Sequence, residues 1–213
     1  SEQFAHAGAG RKGGIDTSIK SVTWETEIIV NQKKVRIGEW IDLLMKNNER
    51  VRIDEYHAEC LDLYIFCEVP TIDLEGNESM GQITAVTRHD PGSNLYQIKT
   101  KNGKEVTVTE SKSLLIWNSE LNIFERRYTN TISIGDCLPL SSSQGSGMKV
   151  RDVVLDPIIE INRIDPKKHP KMYDLTVPST IHFGLANGLY VVDTAETGYA
   201  EKKMTKKMEH FSV

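Results

Sequence analysis

Between residues 21 and 193 apolar and polar positions alternate in short runs, the two-residue period of strands with one buried face. Such runs, and short strand-like runs without the alternation such as the wholly apolar 114–117, cover 26–30, 33–37, 81–87, 95–100, 105–109, 114–117 and 132–134. They resume at 153–155, 158–162, 173–177, 182–186 and 189–192. Turn formers separate them: Asp90-Pro91-Gly92, the Pro/Lys segment 165–170 and Asn187-Gly188. Asn102-Gly103 offers the two positive-φ residues of a type I′ hairpin turn. One interval leaves this period. Trp40, Ile41, Leu44 and Met45 recur at helical spacing, which predicts a short helix over 39–46 ending at Asn47-Asn48. Residues 49–70 follow neither pattern. The expected fold class is all-β.

The texture changes at both ends of this region. Residues 1–20 are rich in Gly, Ala and Ser and read as a flexible arm. Beyond Asp193 the spacing of Tyr199, Met204, Met208 and Phe211 among lysines predicts an amphipathic helix with Thr194 as N-cap, weakened at Gly198 by about 1 kcal/mol. Inside the β region, 141–147 (Ser-Ser-Ser-Gln-Gly-Ser-Gly) reads as a linker without side chains to pack.

Composition narrows the picture. At 213 residues, with 38% hydrophobic and 26% charged residues, the chain suits one soluble core with short appendages. A formal charge of −4 argues against a dedicated nucleic-acid surface. No apolar run approaches a membrane span, and the first residues lack the plan of a signal peptide. Cys60, Cys67 and Cys137 include no C-x-x-C pair, so neither a disulfide framework nor a zinc ribbon is expected. The expectation is an intracellular monomer, cytoplasmic, nuclear or in a viral factory, with no cofactor and no metal.

Three separated segments, in order, resemble the protein-splicing domain of inteins, whose fold is shared with hedgehog autoprocessing domains. Ser21-Val-Thr-Trp-Glu-Thr-Glu-Ile-Ile-Val30 is similar to the first intein motif, which opens on a Cys or Ser nucleophile. Gly103 to Leu115 is similar to the second, with Thr109-Glu110-Ser111-Lys112 standing where Thr-x-x-His is usual. Met172-Tyr-Asp-Leu-Thr-Val177 through Asn187-Gly188-Leu-Tyr-Val-Val-Asp193-Thr194 is similar to the closing pair. Ile132-Ser-Ile-Gly-Asp-Cys137 resembles the strand after which many inteins carry an endonuclease, and the 141–147 linker sits where that domain would be. The resemblance implies a horseshoe-shaped, pseudo-twofold β domain over 21–193, without its endonuclease and with short flanks at 1–20 and 194–213. Reading across the gap supports those boundaries. Gly13-Gly-Ile-Asp-Thr-Ser-Ile-Lys20 joined to Thr194-Ala-Glu-Thr-Gly-Tyr199 is similar to the bridge-helix region of the largest subunit of RNA polymerases.

The resemblance also implies a chemistry, cis splicing on the chain's own flanks, with Lys20 and Val192 bordering the scissile bonds. Ser21 would attack the Lys20 carbonyl, Thr194 would take over the ester, and Asp193 would cleave the bond before Thr194. A hydroxyl is barely ionised at neutral pH, so Ser21 needs a proton acceptor and an oxyanion partner. Lys112 stands at the family's histidine position, and Thr109 or His89 could share its task. At the closing end Val192 replaces the usual histidine and Asp193 the usual asparagine. His182, next to Ile181 at another family histidine position, is the candidate proton donor, and Asp174 the candidate assistant of Thr194. Asp193 either completes the reaction through an anhydride or stops it. The alternatives are a domain that only cleaves, and a non-catalytic β module inserted in a polymerase subunit.

Overall fold

The computed structural model describes residues 20–54, 57–111 and 113–194. The expected helix of the downstream flank and the arm 1–19 lie outside these residues, as does Lys112. The first half runs β1 (Val22–Thr23), β2 (Glu27–Val30), β3 (Lys33–Arg36), helix α1 (Ile37–Lys46), β4 (Arg52–Ile53) and β5 (Glu59–Asp62). β6 (Glu68–Ile72), β7 (Glu78–Gln82), β8 (Ala85–His89), β9 (Leu95–Thr100) and β10 (Glu105–Thr109) follow. Then come β11 (Leu114–Asn118), β12 (Ile123–Arg127), β13 (Cys137–Ser141), β14 (Lys149–Val150) and β15 (Val153–Ile164). The chain closes with β16 (Met172–Thr176), β17 (His182–Gly184) and β18 (Tyr190–Val192). The all-β expectation holds, and the helix falls where the spacing placed it.

The largest sheet runs β13-β15-β9-β10-β1-β16-β8-β5-β4, with β14 added on β15. A second has the order β12-β11-β18-β17. Alternation assigns the two faces of the large sheet. Val22, Val86, Tyr96, Ile98, Val106, Val108, Tyr173 and Leu175 turn one way, into the main core, where Ile37, Ile41 and Met45 of α1 join them. Ser21, Thr23, Thr87, His89, Thr109, Asp174 and Thr176 turn the other way, and they too are buried. The second sheet is covered on both sides. Leu114, Ile116, Phe183 and Val191 belong to the main core, while Leu115, Phe124, Tyr190 and Val192 pack with Ile72, Val153 and Leu155.

Helix α1 is fastened below the main sheet by a polar clamp. Asp42 accepts from Tyr173 Oη at 2.8 Å, Trp24 Nε1 at 3.0 Å and Arg88 at 2.8 Å. Arg88 also makes a bidentate pair with Glu59 at 2.8 and 3.0 Å. Gly38 allows the helix to start there, because a Cβ would lie 2.1 Å from the Trp24 ring.

Four local expectations are corrected. Asn102 does not adopt a positive φ, and Gly103 alone does. Gly103 N–H bonds Thr100 O and Thr100 N–H bonds Lys104 O, both at 2.9 Å, which is the three-residue loop with a left-handed glycine. The two-residue turn with both φ positive is Asn31-Gln32, at 50° and 70°. Residues 132–134 form no strand, because a 3-10 turn (Thr129–Thr131) and a left-handed Gly135 reverse the chain there. The runs 153–155 and 158–162 are one strand, with a bulge between Ile158 and Glu160. Finally, 141–147 is packed. Ser142–Gln144 forms a 3-10 turn, and Ser146 exchanges two backbone bonds with the Asn102 side chain, both at 3.0 Å.

Candidate active site

The two ends of the β region meet on the polar face of the large sheet. β1 lies between β10 and β16, pairing Val22 with Val108 on one side and with Tyr173 on the other. One residue back along both registers, Ser21 falls opposite Thr109 and Asp174. Thr109 N–H reaches the Ser21 carbonyl at 3.4 Å. Ser21 is 3% exposed, and its Oγ has no hydrogen-bond partner. Lys20, before it, is equally buried.

The other end arrives through β18. Asp193 N–H donates to Ile181 O at 2.8 Å, and Asp193 Oδ2 accepts Val177 N–H at 2.7 Å, just past the end of β16. Thr194 then sits against Asp174, whose Oδ2 accepts the Thr194 amide at 3.1 Å and also its hydroxyl. Asp174 is therefore opposite Ser21 in the sheet and bonded to Thr194. Its carboxyl is held well above the usual range, first by burial and then by repulsion from Asp193. The Thr194 bond, the Leu175 backbone and the Lys20 charge pull the other way.

His182 is placed differently from expectation. It pairs with Val192 across β17–β18, so by alternation its ring lies with Val192 on the face opposite Asp193. Nδ1 meets Ile72 O at 2.8 Å and Nε2 accepts Arg126 Nε–H at 3.1 Å. Both ring nitrogens are committed, and burial pushes the imidazole down to about 4. A neutral ring fixed in this way does not serve as proton donor to the 193–194 bond. The neighbouring Ile181 has a φ of 70°, rare for a β-branched residue, and its carbonyl is the one that holds Asp193.

His89 reaches the correct face but not the junctions. It pairs with Met172, one pair of residues along from Asp174, and β8 lies two strands from β1. That separates it from Ser21 by roughly 10 Å across the sheet and a further ~7 Å along it. Its Nδ1 faces Asp90 O at 2.6 Å, its Nε2 is unpartnered, and burial lowers its proton affinity. Thr109, by contrast, lies beside Ser21, across the β1–β10 ladder.

Sequence reasoning missed Ser111, Ser113 and Thr129, which are buried beside Thr109. Serines and threonines carry no period of their own, and only contacts reveal them. Among the described residues no cluster of His, Cys, Asp and Glu is arranged to hold a metal ion, and no helix is long and apolar enough to cross a membrane.

No family model matches the chain. Solved structures do. The transcription factor IIB Mvu mini-intein superposes with a TM-score of 0.70 at 28% identity, over 81% of this chain and 99% of that one. The chain is an intein-type protein-splicing domain. The transcription factor IIB Mja mini-intein gives a TM-score of 0.58 at 26% identity, again over 81% and 99% of the two chains. The PabCDC21-1 intein shares the fold, with a TM-score of 0.67 at 23% identity over 81% and 98%. Among curated proteins, the DNA-directed RNA polymerase subunit Rpo1C of Methanocaldococcus jannaschii is 25% identical over 191 residues, 84% of this chain. The DNA polymerase II large subunit of Halobacterium salinarum is 32% identical over 88 residues, 40% of this chain. The chain spans 22% and 6% of these two relatives, as an intein set into a polymerase subunit would.

Proposed function

We propose that this intein domain excises residues 21–193 and joins Lys20 to Thr194, with its own flanks as the substrate. Ser21 Oγ attacks the Lys20 carbonyl; the Lys20–Ser21 amide breaks, the nitrogen takes a proton and an ester remains. Thr194 Oγ1 attacks that ester, releasing the Ser21 hydroxyl and taking over the upstream segment. The Asp193 carboxylate attacks its own backbone carbonyl. The 193–194 bond breaks to a cyclic anhydride and a free Thr194 amine, and water reopens the anhydride. The amine then displaces the Thr194 ester oxygen, which leaves an ordinary Lys20–Thr194 peptide.

The observation that carries this reading is Asp174, placed opposite Ser21 and bonded to Thr194. A carboxylate made more basic by burial and by Asp193 suits removal of the Thr194 hydroxyl proton as that oxygen attacks. Holding both reacting ends on one sheet face supplies proximity before any bond changes. The test is to incubate the purified chain, with Asp or with Asn at 193, and follow intact mass. A free 21–193 fragment and a ligated 1–20/194–213 peptide are expected. An unchanged mass over days in both forms leaves only the non-catalytic module.

A cleavage-only reading has one observation in its favour. The residue before Asp193 is the buried, apolar Val192, and His182 is tied to Ile72 and Arg126. Release of residues 1–20 with no ligated product would select that reading.

A further inference from the structure

Between the two junctions, where the chain crosses from β10 to β11, lies a ring of three hydroxyls. Thr109 Oγ1 is 3.1 Å from Ser111 Oγ and 3.5 Å from Ser113 Oγ, and the two serine oxygens are 3.2 Å apart. Each hydroxyl has one proton to give and two lone pairs to receive, so the three lie within reach of one another, and Ser113 Oγ also donates to the Thr109 carbonyl at 3.4 Å. Thr129 braces the ring from outside. Its Oγ1 donates to the carbonyls of Thr109 and Ser111 at 2.9 and 3.2 Å. All four residues are at most 5% exposed.

The ring has a contact on either side. Upstream, Thr109 N–H touches the carbonyl of Ser21. Downstream, Ser113 O accepts Val192 N–H at 2.9 Å, one residue before Asp193. Apolar side chains could fill the same space without matched partners. Interlocked hydroxyls instead fix directions, because each bond sets the angle of the next.

We propose that Ser111 and Ser113 are positioning residues of the splicing site. Through the ring they hold Thr109 against Ser21, the residue that follows the upstream bond, and through the Ser113 carbonyl they hold the strand that ends at the downstream bond. One polar joint thus aligns both junctions. This rests on the splicing reading above.

The test uses the full chain and reads the two junctions separately: hydroxylamine-dependent cleavage at 20–21, which traps the ester, and release of the 194–213 peptide. Ser113→Ala is expected to slow both about tenfold, and Ser111→Ala to slow the upstream step about tenfold. The double variant should be little worse than Ser113→Ala alone, as residues acting in one unit are. Ile41→Val, a core change in α1 away from the ring, serves as the control for lost stability, with thermal midpoints recorded for all chains. Unchanged rates in both serine variants overturn the proposal, as does an equal slowing in Ile41→Val. A parent chain without hydroxylamine-dependent cleavage overturns the splicing reading itself, and shows this before any variant is compared.

Discussion

Asp174 and Thr194 are joined twice, through the amide and through the hydroxyl of the threonine, and both residues are buried. The second carboxylate oxygen, Oδ1, is buried without a partner. An ionised Asp174 is thus costly to the fold, and the cost follows pH in a definite direction. Its folded pKa lies above the unfolded value of about 3.9, so its contribution is complete below that pH and is lost as pH rises through the folded value. Asp174→Asn should therefore raise the thermal midpoint at neutral pH, with the gain shrinking toward pH 4. The same change should slow transfer to Thr194, because an amide cannot take the hydroxyl proton. Melting curves across pH, paired with intact-mass kinetics, check both halves. A lower midpoint at neutral pH would contradict the argument.

Ser21 offers the complementary case. Its hydroxyl is buried and unpartnered, which costs the fold about 1 kcal/mol or more. Ser21→Ala should leave the thermal midpoint unchanged or slightly higher while removing cleavage at 20–21. Upstream cleavage that survives the change places the nucleophile elsewhere.

Much of this arrangement was legible in the alternation. In Glu105–Thr109 the valines mark the core face and the threonines the polar one, and Met172–Thr176 repeats the pattern with Asp174 among its polar members. What alternation could not give was the pairing between distant strands, which puts Ser21 between Thr109 and Asp174. β6 was not anticipated, since Pro70 interrupts it, and of β7 only the last two residues fell in an expected run, since exposed residues dominate it. The packing of 141–147 was invisible for a different reason. Its partners are the Asn102 side chain and the Gly188 loop, where a Cβ on Gly188 would lie 2.7 Å from Gln144. His182 looked catalytic by its place in the motif, and only its contacts with Ile72 and Arg126 reassign it.

That reassignment has its own consequence. A histidine kept neutral down to about pH 4 contributes fully above its unfolded pKa of about 6.5, and the contribution is lost as pH falls toward the folded value. His182→Gln should cost on the order of 1–3 kcal/mol near pH 7, because the Ile72 carbonyl and the Arg126 side chain lose their matched partner. The deficit should narrow between pH 6.5 and 4. Cleavage at 193–194 should persist in this variant, measured at a temperature where it stays folded. Loss of that downstream cleavage in a folded His182→Gln chain would return the residue to the catalytic set.

The last prediction concerns the segment 141–147, which packs on the Asn102 side chain and the Gly188 loop. Asn102 holds it through two bonds to Ser146, and the same side chain donates to Asp156 Oδ1 at 2.8 Å. Asp156 is fully buried, and the Asn102 amide adds a second bond at 3.1 Å, so the carboxylate depends on this one residue for both. Asn102→Ala keeps the backbone bond but removes the other three, and should destabilise the chain by about 2–3 kcal/mol, mostly through the stranded charge. It should also open 142–147 to proteases. A double variant, Asn102→Ala with Asp156→Asn, separates the two effects. The neutral amide at 156 strands no charge, so much of the stability should return, while the segment stays open to cleavage because Ser146 still lacks its clamp. If limited proteolysis finds 142–147 equally resistant in all three chains, the clamp is not what holds the segment, and its close packing on the Gly188 loop must suffice.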